Sequence, residues 1–342
     1  MVCDRMTLSD SVLSGDRLAL SRLLTQVEND TPEGRQALAG LFPHAGRAHL
    51  IGVTGAPGTG KSSLVSQLAL AFRRPGNGHK PCRVAVIAVD PSSPFTGGAI
   101  LGDRVRMREL SGDPGVFIRS MAARGSLGGL SVATSGVVQV FDAAGYDVIL
   151  IETVGAGQSE VDIARLAHTT IVVEAPGLGD DIQAIKAGIL EVADILVVNK
   201  ADRPGADNTA RSLRNMLELA HPVAHTFHHR WESASEAQPD AGAQPFWLPP
   251  VQLTAATQGT GIRELVEAIG THREHLERSG EWRRRERQRL ESELEGLLHE
   301  TLVARWRAGV SDERYHACLE ALLARRTSPY EAVEMLLKDE IN

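Results

Sequence analysis

Residues Gly55-Ala56-Pro57-Gly58-Thr59-Gly60-Lys61-Ser62 match the spacing G-x-x-x-x-G-K-S. This is the pattern of a loop whose curled backbone turns consecutive N–H groups toward phosphate oxygens. An apolar run, Leu50-Ile51-Gly52-Val53, precedes it, and a helical pattern carried by Leu64, Leu68 and Phe72 follows. That frame adds the positive end of a helix dipole to the same site. Lys61 can reach the β- and γ-phosphates, and Ser62 offers a hydroxyl to Mg²⁺. A chance Gly-rich turn would not carry this frame. The pattern points to a bound nucleoside triphosphate.

A second motif selects the base. The apolar strand candidate Ile195-Leu196-Val197-Val198 runs into Asn199-Lys200-Ala201-Asp202. An aspartate in N-K-x-D can accept hydrogen bonds from the guanine ring N–H and its exocyclic amine. Adenine offers an acceptor at the first place and no amine at the second, so its binding would leave the carboxylate unpaired. Discrimination of this kind can reach ~10⁴-fold. An Asn–Lys–Asp helix cap is the alternative for an isolated tetrapeptide. Beyond a complete phosphate loop the motif implies GTP rather than ATP.

Acids between the two motifs could sense the γ-phosphate. Strand candidate 83–89 ends at Asp90, within Asp90-Pro91-Ser92-Ser93-Pro94, and Gly102-Asp103-Arg104 follows. Asp90 is placed to bind Mg²⁺ directly or through water, with a capping role as the alternative. Strand candidate 147–151 leads into Glu152-Thr153-Val154-Gly155. Many GTPases carry D-x-x-G there, with the acid near Mg²⁺ and the glycine N–H on the γ-phosphate. Ala156 stands where Ras-like proteins place a water-orienting glutamine, and Gln158 is out of register. Slow intrinsic hydrolysis, accelerated by a partner, is the expectation.

The elements that position these residues alternate between strand and helix. Strand candidates at 48–54, 83–89, 147–151, 170–174, 194–198 and 251–254 are largely continuous apolar runs. Parallel strands covered on both faces read this way. The fold class is α/β, a doubly wound, mostly parallel sheet with its nucleotide at the carboxyl ends of the strands. Residues 8–47 form a helical lead-in in which Val12, Leu13, Leu18, Leu20, Leu23, Leu24 and Val27 suit one helix face or two short helices. Beyond about 272 the pattern is helical, with a stripe of Leu290, Leu294, Leu297, Leu298, Leu302 and Trp306. The stripe packs either on its own domain or on a second copy. Residues 221–250 read as a surface loop. Within it, His225 and His229 have the i,i+4 spacing of metal ligands, but Pro222 and the composition favour a solvated loop.

Composition narrows the class. The 342 residues carry a net charge of −7, and no basic tail marks nucleic acid as a partner. The arginines at 283–285, 287 and 289 are interleaved with glutamate and read as a solvated helix face. Cys3, Cys82 and Cys318 are odd in number and far apart, as expected of reduced thiols. Neither a signal-peptide layout nor a membrane-length apolar stretch occurs, which makes a soluble cytoplasmic protein the expectation.

Several further segments carry a resemblance. They are Asp90-Pro91-Ser92-Ser93-Pro94, Gly97-Gly98-x-Ile100-Leu101-Gly102-Asp103, Arg124-Gly125-Ser126-Leu127-Gly128-Gly129, Glu152-Thr153-Val154-Gly155-x-Gly157-Gln158-Ser159-Glu160 and Pro176-Gly177-x-Gly179-Asp180-Asp181-Ile182-Gln183. In this order they resemble the MeaB/ArgK/MMAA family, P-loop GTPases that act as chaperones of adenosylcobalamin-dependent acyl-CoA mutases. The resemblance runs from the helical lead-in to the C-terminal helices. It implies a phosphate loop at 55–63, including Ser63, and a guanine motif at Asn199, Lys200 and Asp202. A loop backing the base would be Thr254-Ala255-Ala256, with Thr in place of the more usual Ser. Asp90, Asp103 and Glu152 would be the Mg²⁺-linked acids, and 177–188, with Asp180, Asp181 and Lys186, a segment relaying nucleotide state.

The resemblance also implies domains at 1–47, 48–270 and 271–342, the last a homodimer arm. The implied partner is a mutase, methylmalonyl-CoA mutase first, whose cofactor loading, protection or reactivation the GTPase gates. Isobutyryl-CoA and ethylmalonyl-CoA mutase are the other candidates. The chain lacks a D-x-H-x-x-G motif for holding cobalamin itself. Two rival readings are a nickel-insertion GTPase, which would need a Cys/His ligand set, and a kinase of a transport-related protein, which would need an acceptor and a base.

Overall fold

The computed structural model describes residues 7–76, 80–91, 110, 112–123, 132–153, 159–177, 191–220 and 247–337. Asp103, Gly155, Asp180, Asp181, Lys186 and the loop histidines 221–229 lie outside these residues, as does the Ala156/Gln158 register. Two compact units divide the chain, Met1–Arg289 and Leu290–Asn342.

The first unit is built on seven parallel strands in the order β3-β2-β4-β1-β5-β6-β7. They are β1 (His49–Thr54), β2 (Val84–Pro91), β3 (Val116–Ala123), β4 (Val148–Thr153), β5 (Thr169–Glu174), β6 (Ile195–Val198) and β7 (Val251–Leu253). All six residues of β1 and of β4 are buried, as continuous apolar runs require of central strands. The strand β3 was not among the sequence expectations. It lies at the sheet's edge, and Arg119-Ser120 interrupt its apolar run. The Arg119 guanidinium reaches Glu28 and Thr25 on a lead-in helix, so the polar break is answered from 91 residues away.

Side-chain alternation along the strands sorts the helices into layers. Leu50, Ala85, Ile87, Ile149 and Ile151 face one way, against the lead-in helices and α5 (Val132–Ala143). Ile51, Val53, Val86, Leu150, Ile171 and Ile195 face the other, against α4 (Lys61–Arg73) and α8 (Ile262–Ser279). The helix α7 (Ala206–Ala220) covers Val172, Leu196 and Val198, and α6 (Ser159–Leu166) contributes Ile163 and Leu166 beside α5.

The lead-in is three helices: α1 (Leu8–Leu13), α2 (Arg17–Glu28) and α3 (Pro32–Leu41). Thr7, Asp16 and Thr31 cap their N-termini through side-chain oxygens, each satisfying N–H groups that a helix start leaves open. Val12, Leu20, Leu23, Leu24 and Val27 are buried as the spacing predicted, whereas Leu18 is 60% and Leu13 38% exposed.

The helix α9 (Glu281–Gly309) follows α8 after Gly280. Its arginine run is not the solvated face expected from the sequence. Arg283, Arg284 and Arg287 are exposed, but Arg285 and Arg289 are part-buried, and Arg285 forms a two-pronged ion pair with Asp194. In the second unit Leu294, Leu297, Leu298 and Leu302 stand between 42% and 66% exposed. There α10 (Asp312–Leu323) and α11 (Pro329–Leu337) pack together, with Trp306 Nε1 donating to the Leu336 carbonyl.

Candidate nucleotide site

Parallel strands deliver their carboxyl ends to one edge of the sheet, and the loops after β1, β6 and β7 meet there beside the end of β4. Gly55 opens the phosphate loop at φ 136°, and a Cβ on it would lie 2.1 Å from the Val173 carbonyl oxygen. Only glycine lets the loop leave β1 so close to β5. The loop closes at Gly60, φ 94°, the residue preceding the first turn of α4. Lys61 and Ser62 are therefore fixed at a helix N-terminus, where N–H groups and the dipole favour an anion.

Lys61 and Ser62 are buried, a costly place for an ammonium group without acceptors. Lys61 Nζ donates to the carbonyls of Gly55 and Ala56 at 2.8 and 3.0 Å, which holds it across the mouth of the loop. Thr59 Oγ1 donates to the Ala56 carbonyl at 3.0 Å. Pro57 and Gly58 are exposed, Ala56 and Ser63 half-buried.

The register of the sheet carries the acids to the same edge. Glu152 pairs with Val53 of β1 and Ala88 of β2, and its side chain is 5% exposed. Ser62 Oγ donates to Glu152 Oε1 at 2.6 Å, joining the phosphate-loop hydroxyl to the acid near the carboxyl end of β4. Asp90 lies two residues beyond Ala88 on β2, at the same edge.

The guanine motif is tied into this framework by the side chains of Asn199 and Lys200. Asn199 is 2% exposed. Its Nδ2 donates to the Thr59 carbonyl at 2.9 Å, while Oδ1 accepts from Thr254 Oγ1 at 3.2 Å and from the Ala256 N–H at 3.1 Å. Asn199 thus staples the phosphate loop to the loop after β7. Lys200, at φ 58°, lays its ammonium on the Gly58 carbonyl at 2.5 Å. Asp202 stands exposed beside it, while Ala255 and Ala256 are buried. The hydroxyl of Thr254 has a defined use, since it is spent on Asn199.

Sequence reading found the phosphate loop, Glu152 and the guanine motif, which the structure brings to one edge. It did not find the staple from Asn199 to Thr59 and Thr254, because those partners lie 140 and 55 residues away. It also did not find a buried polar network at the opposite edge, built on His49, His168, Asp194 and His272. The available signal was a polar residue at the start of each of three otherwise apolar strands.

Comparison with known proteins agrees with this arrangement. Residues 20–311 match the family described as methylmalonyl-CoA mutase-associated GTPase MeaB. A putative GTPase of Pyrococcus abyssi is 44% identical over 98% of this chain and 96% of its own length. GTPase ArgK of Escherichia coli is 37% identical over 86% and 84% respectively. A crystal structure described as LAO/AO transport system kinase superimposes with a TM-score of 0.64 at 26% identity, covering 99% of both chains. With a phosphate loop, a guanine motif and an acid on one sheet edge, and a family match over most of its length, this chain belongs to the MeaB family of P-loop GTPases.

Proposed function

We propose that the chain is a GTP-dependent chaperone of an adenosylcobalamin-dependent acyl-CoA mutase, methylmalonyl-CoA mutase in the first instance. The observation that carries this reading is the match of residues 20–311 to a mutase-associated GTPase family, on a chain whose guanine and phosphate loops are joined through Asn199. GTP would lie with its phosphates on the N–H groups of 55–63 and on Lys61, and its base against Asp202 and the 254–256 loop. Gly155 would contact the γ-phosphate.

The oxygen donors Ser62 and Glu152, 2.6 Å apart at the end of the phosphate loop, fit a hard divalent cation. With Asp90, they would hold Mg²⁺, which supplies charge neutralisation to the β- and γ-phosphates. Asp103 belongs to the same proposed set of acids. Lys61 would stabilise charge that develops on the phosphates, and Asn199 keeps both loops in register. Turnover by the isolated chain is proposed to be slow, because Ala156 offers no group to orient water.

The segment 177–188, with Asp180, Asp181 and Lys186, is proposed to relay nucleotide state to the mutase. The exposed leucines of α9 between 294 and 302 are proposed as a contact with a second copy of the chain, since an apolar stripe at helical spacing is stabilised by a matching face. No helix among the described residues is long and apolar enough to cross a membrane.

The test is GTP turnover with and without methylmalonyl-CoA mutase. Acceleration by the mutase, abolished in Lys61→Ala, supports the reading. Unchanged turnover at saturating mutase, with no complex formed, rejects this mutase as the partner. Transfer of labelled phosphate to a protein, lost in Lys61→Ala, would revive the kinase reading.

A further inference from the structure

The amino ends of β1, β5 and β6 lie at the sheet edge opposite the nucleotide loops, and they carry His49, His168 and Asp194. Against them packs the start of α9, which follows a glycine at φ 77° (Gly280). His168 Nδ1 accepts the Leu50 N–H at 3.1 Å. Its ring proton is therefore on Nε2, which donates to Glu286 Oε2 at 3.2 Å. Trp282 stacks on the imidazole with ring centroids 3.9 Å apart, and Arg285 donates to the His168 carbonyl at 2.7 Å while gripping Asp194. We propose that His168 is the proton-sensitive pin of a latch that holds the start of α9 to the base of the sheet, and that protonating its imidazole releases residues 281–289.

The geometry dictates the direction. A second proton can enter only at Nδ1, where the Leu50 N–H already points, so the imidazolium loses that bond and meets a repelling dipole. Among the described residues, the acids that face the ring are already engaged. Glu286 faces the ring from α9 but is shared with Arg289 at 2.6 Å. Asp142 of α5 already accepts the N–H groups of Gly46, Arg47 and Ala48. His49 of β1, with its ring centroid 6.3 Å away, adds no negative charge. Burial, the largest effect, accordingly holds the His168 imidazole below its ordinary value of 6.5, although Glu286 opposes this.

A histidine depressed in the closed state favours closure above about pH 6.5 and loses that contribution as pH falls below it. One released histidine of ordinary affinity changes the opening equilibrium by at most about tenfold between pH 7.5 and 5.5, the limit reached when the closed form takes up no proton. Because the latch lies across the sheet from the phosphate loop, its release is a separate input to the protein rather than a step of GTP hydrolysis.

Hydrogen exchange on the full chain at pH 7.5 and 5.5, corrected for intrinsic rates, reads this directly. Opening of 281–289 should rise severalfold, up to about tenfold, at the lower pH while amides of α4 stay protected, and His168→Gln, which does not titrate, should show less than about a twofold change. Joint opening of α4 and 281–289, or a full response in His168→Gln, would overturn the proposal. If that variant does not fold, NMR titration of the wild-type imidazole decides. A midpoint below 6.5, with opening that rises as pH falls below 6.5, supports the latch, and a midpoint at or above 6.5 overturns it.

Discussion

Replacing Asn199 by alanine removes a side chain that bonds the phosphate loop and the 254–256 loop together. Three hydrogen bonds of 3.2 Å or less disappear, to the Thr59 carbonyl, from Thr254 Oγ1 and from the Ala256 N–H, along with a longer one of 3.5 Å to the Gly60 carbonyl. Each buried bond contributes about 1 kcal/mol, and a buried partner left unpaired costs about 1–3 kcal/mol. Asn199 is 2% exposed, so water cannot easily replace it. A loss of about 3 kcal/mol results, spread over folding and nucleotide binding. If most of it falls on the preorganised site, affinity drops about 100-fold, at about 1.4 kcal/mol per decade. Asn199→Asp keeps both acceptor bonds but turns a buried carboxylate oxygen toward the Thr59 and Gly60 carbonyls, so it should cost at least as much as alanine. Calorimetric titration with a non-hydrolysable GTP analogue, paired with urea unfolding, separates the two shares. An Asn199→Ala protein with affinity within threefold of wild type and an unchanged unfolding midpoint would refute the staple.

Four further outcomes are expected. Gly60→Ala places a Cβ 2.5 Å from Asn199 Nδ2 at φ 94°, and should weaken GTP binding by at least about tenfold in the same titration. Asp202→Asn exchanges one acceptor for a donor and should cost about 100-fold in GTP affinity while improving xanthosine triphosphate, read by competition. Arg285→Ala leaves the Asp194 carboxylate, 8% exposed, without its two-pronged partner, and should lower unfolding stability by about 3 kcal/mol in urea at pH 7. Leu298→Glu should convert the proposed dimer to monomer by light scattering without changing helix content, since Leu298 is 55% exposed in the chain alone.

The acid response of folding has a defined sign. Burial works to raise the Asp194 carboxyl, but His272 beside it and the bonds from Arg285 hold it at about 2; burial likewise opposes His168 and Arg289, which hold Glu286 at about 2. Their contribution is complete above the ordinary values of 3.8 and 4.5 and is lost as pH falls toward 2. His49 and His168, both depressed chiefly by burial, lose theirs earlier, as pH drops below about 6.5. Urea midpoints should therefore fall in two stages, and a flat profile between pH 7 and 5 would contradict buried neutral histidines.

Much of the nucleotide edge was legible because its signals are local. A phosphate loop and N-K-x-D are contiguous, and strands buried on both faces announce themselves as apolar runs, as β1, β4 and β6 do. Edge strand β3 was not legible, since its Arg119 looks like a break until Glu28 is seen across from it. The run at 283–289 misled for the same reason. Arg285 and Asp194 are 91 residues apart, and no spacing rule pairs them. Leu18 shows the converse error, an apolar residue at a helical period that the fold leaves exposed.

The central claim, a nucleotide-dependent mutase chaperone, is tested most directly by mutase affinity measured in GDP and in a non-hydrolysable GTP analogue, with analogue and GDP affinities measured with and without mutase. The account predicts that the two nucleotides give different mutase affinities, and that the mutase shifts their relative affinities by the same factor, as linkage requires. Equal mutase affinity in both nucleotide states would contradict it.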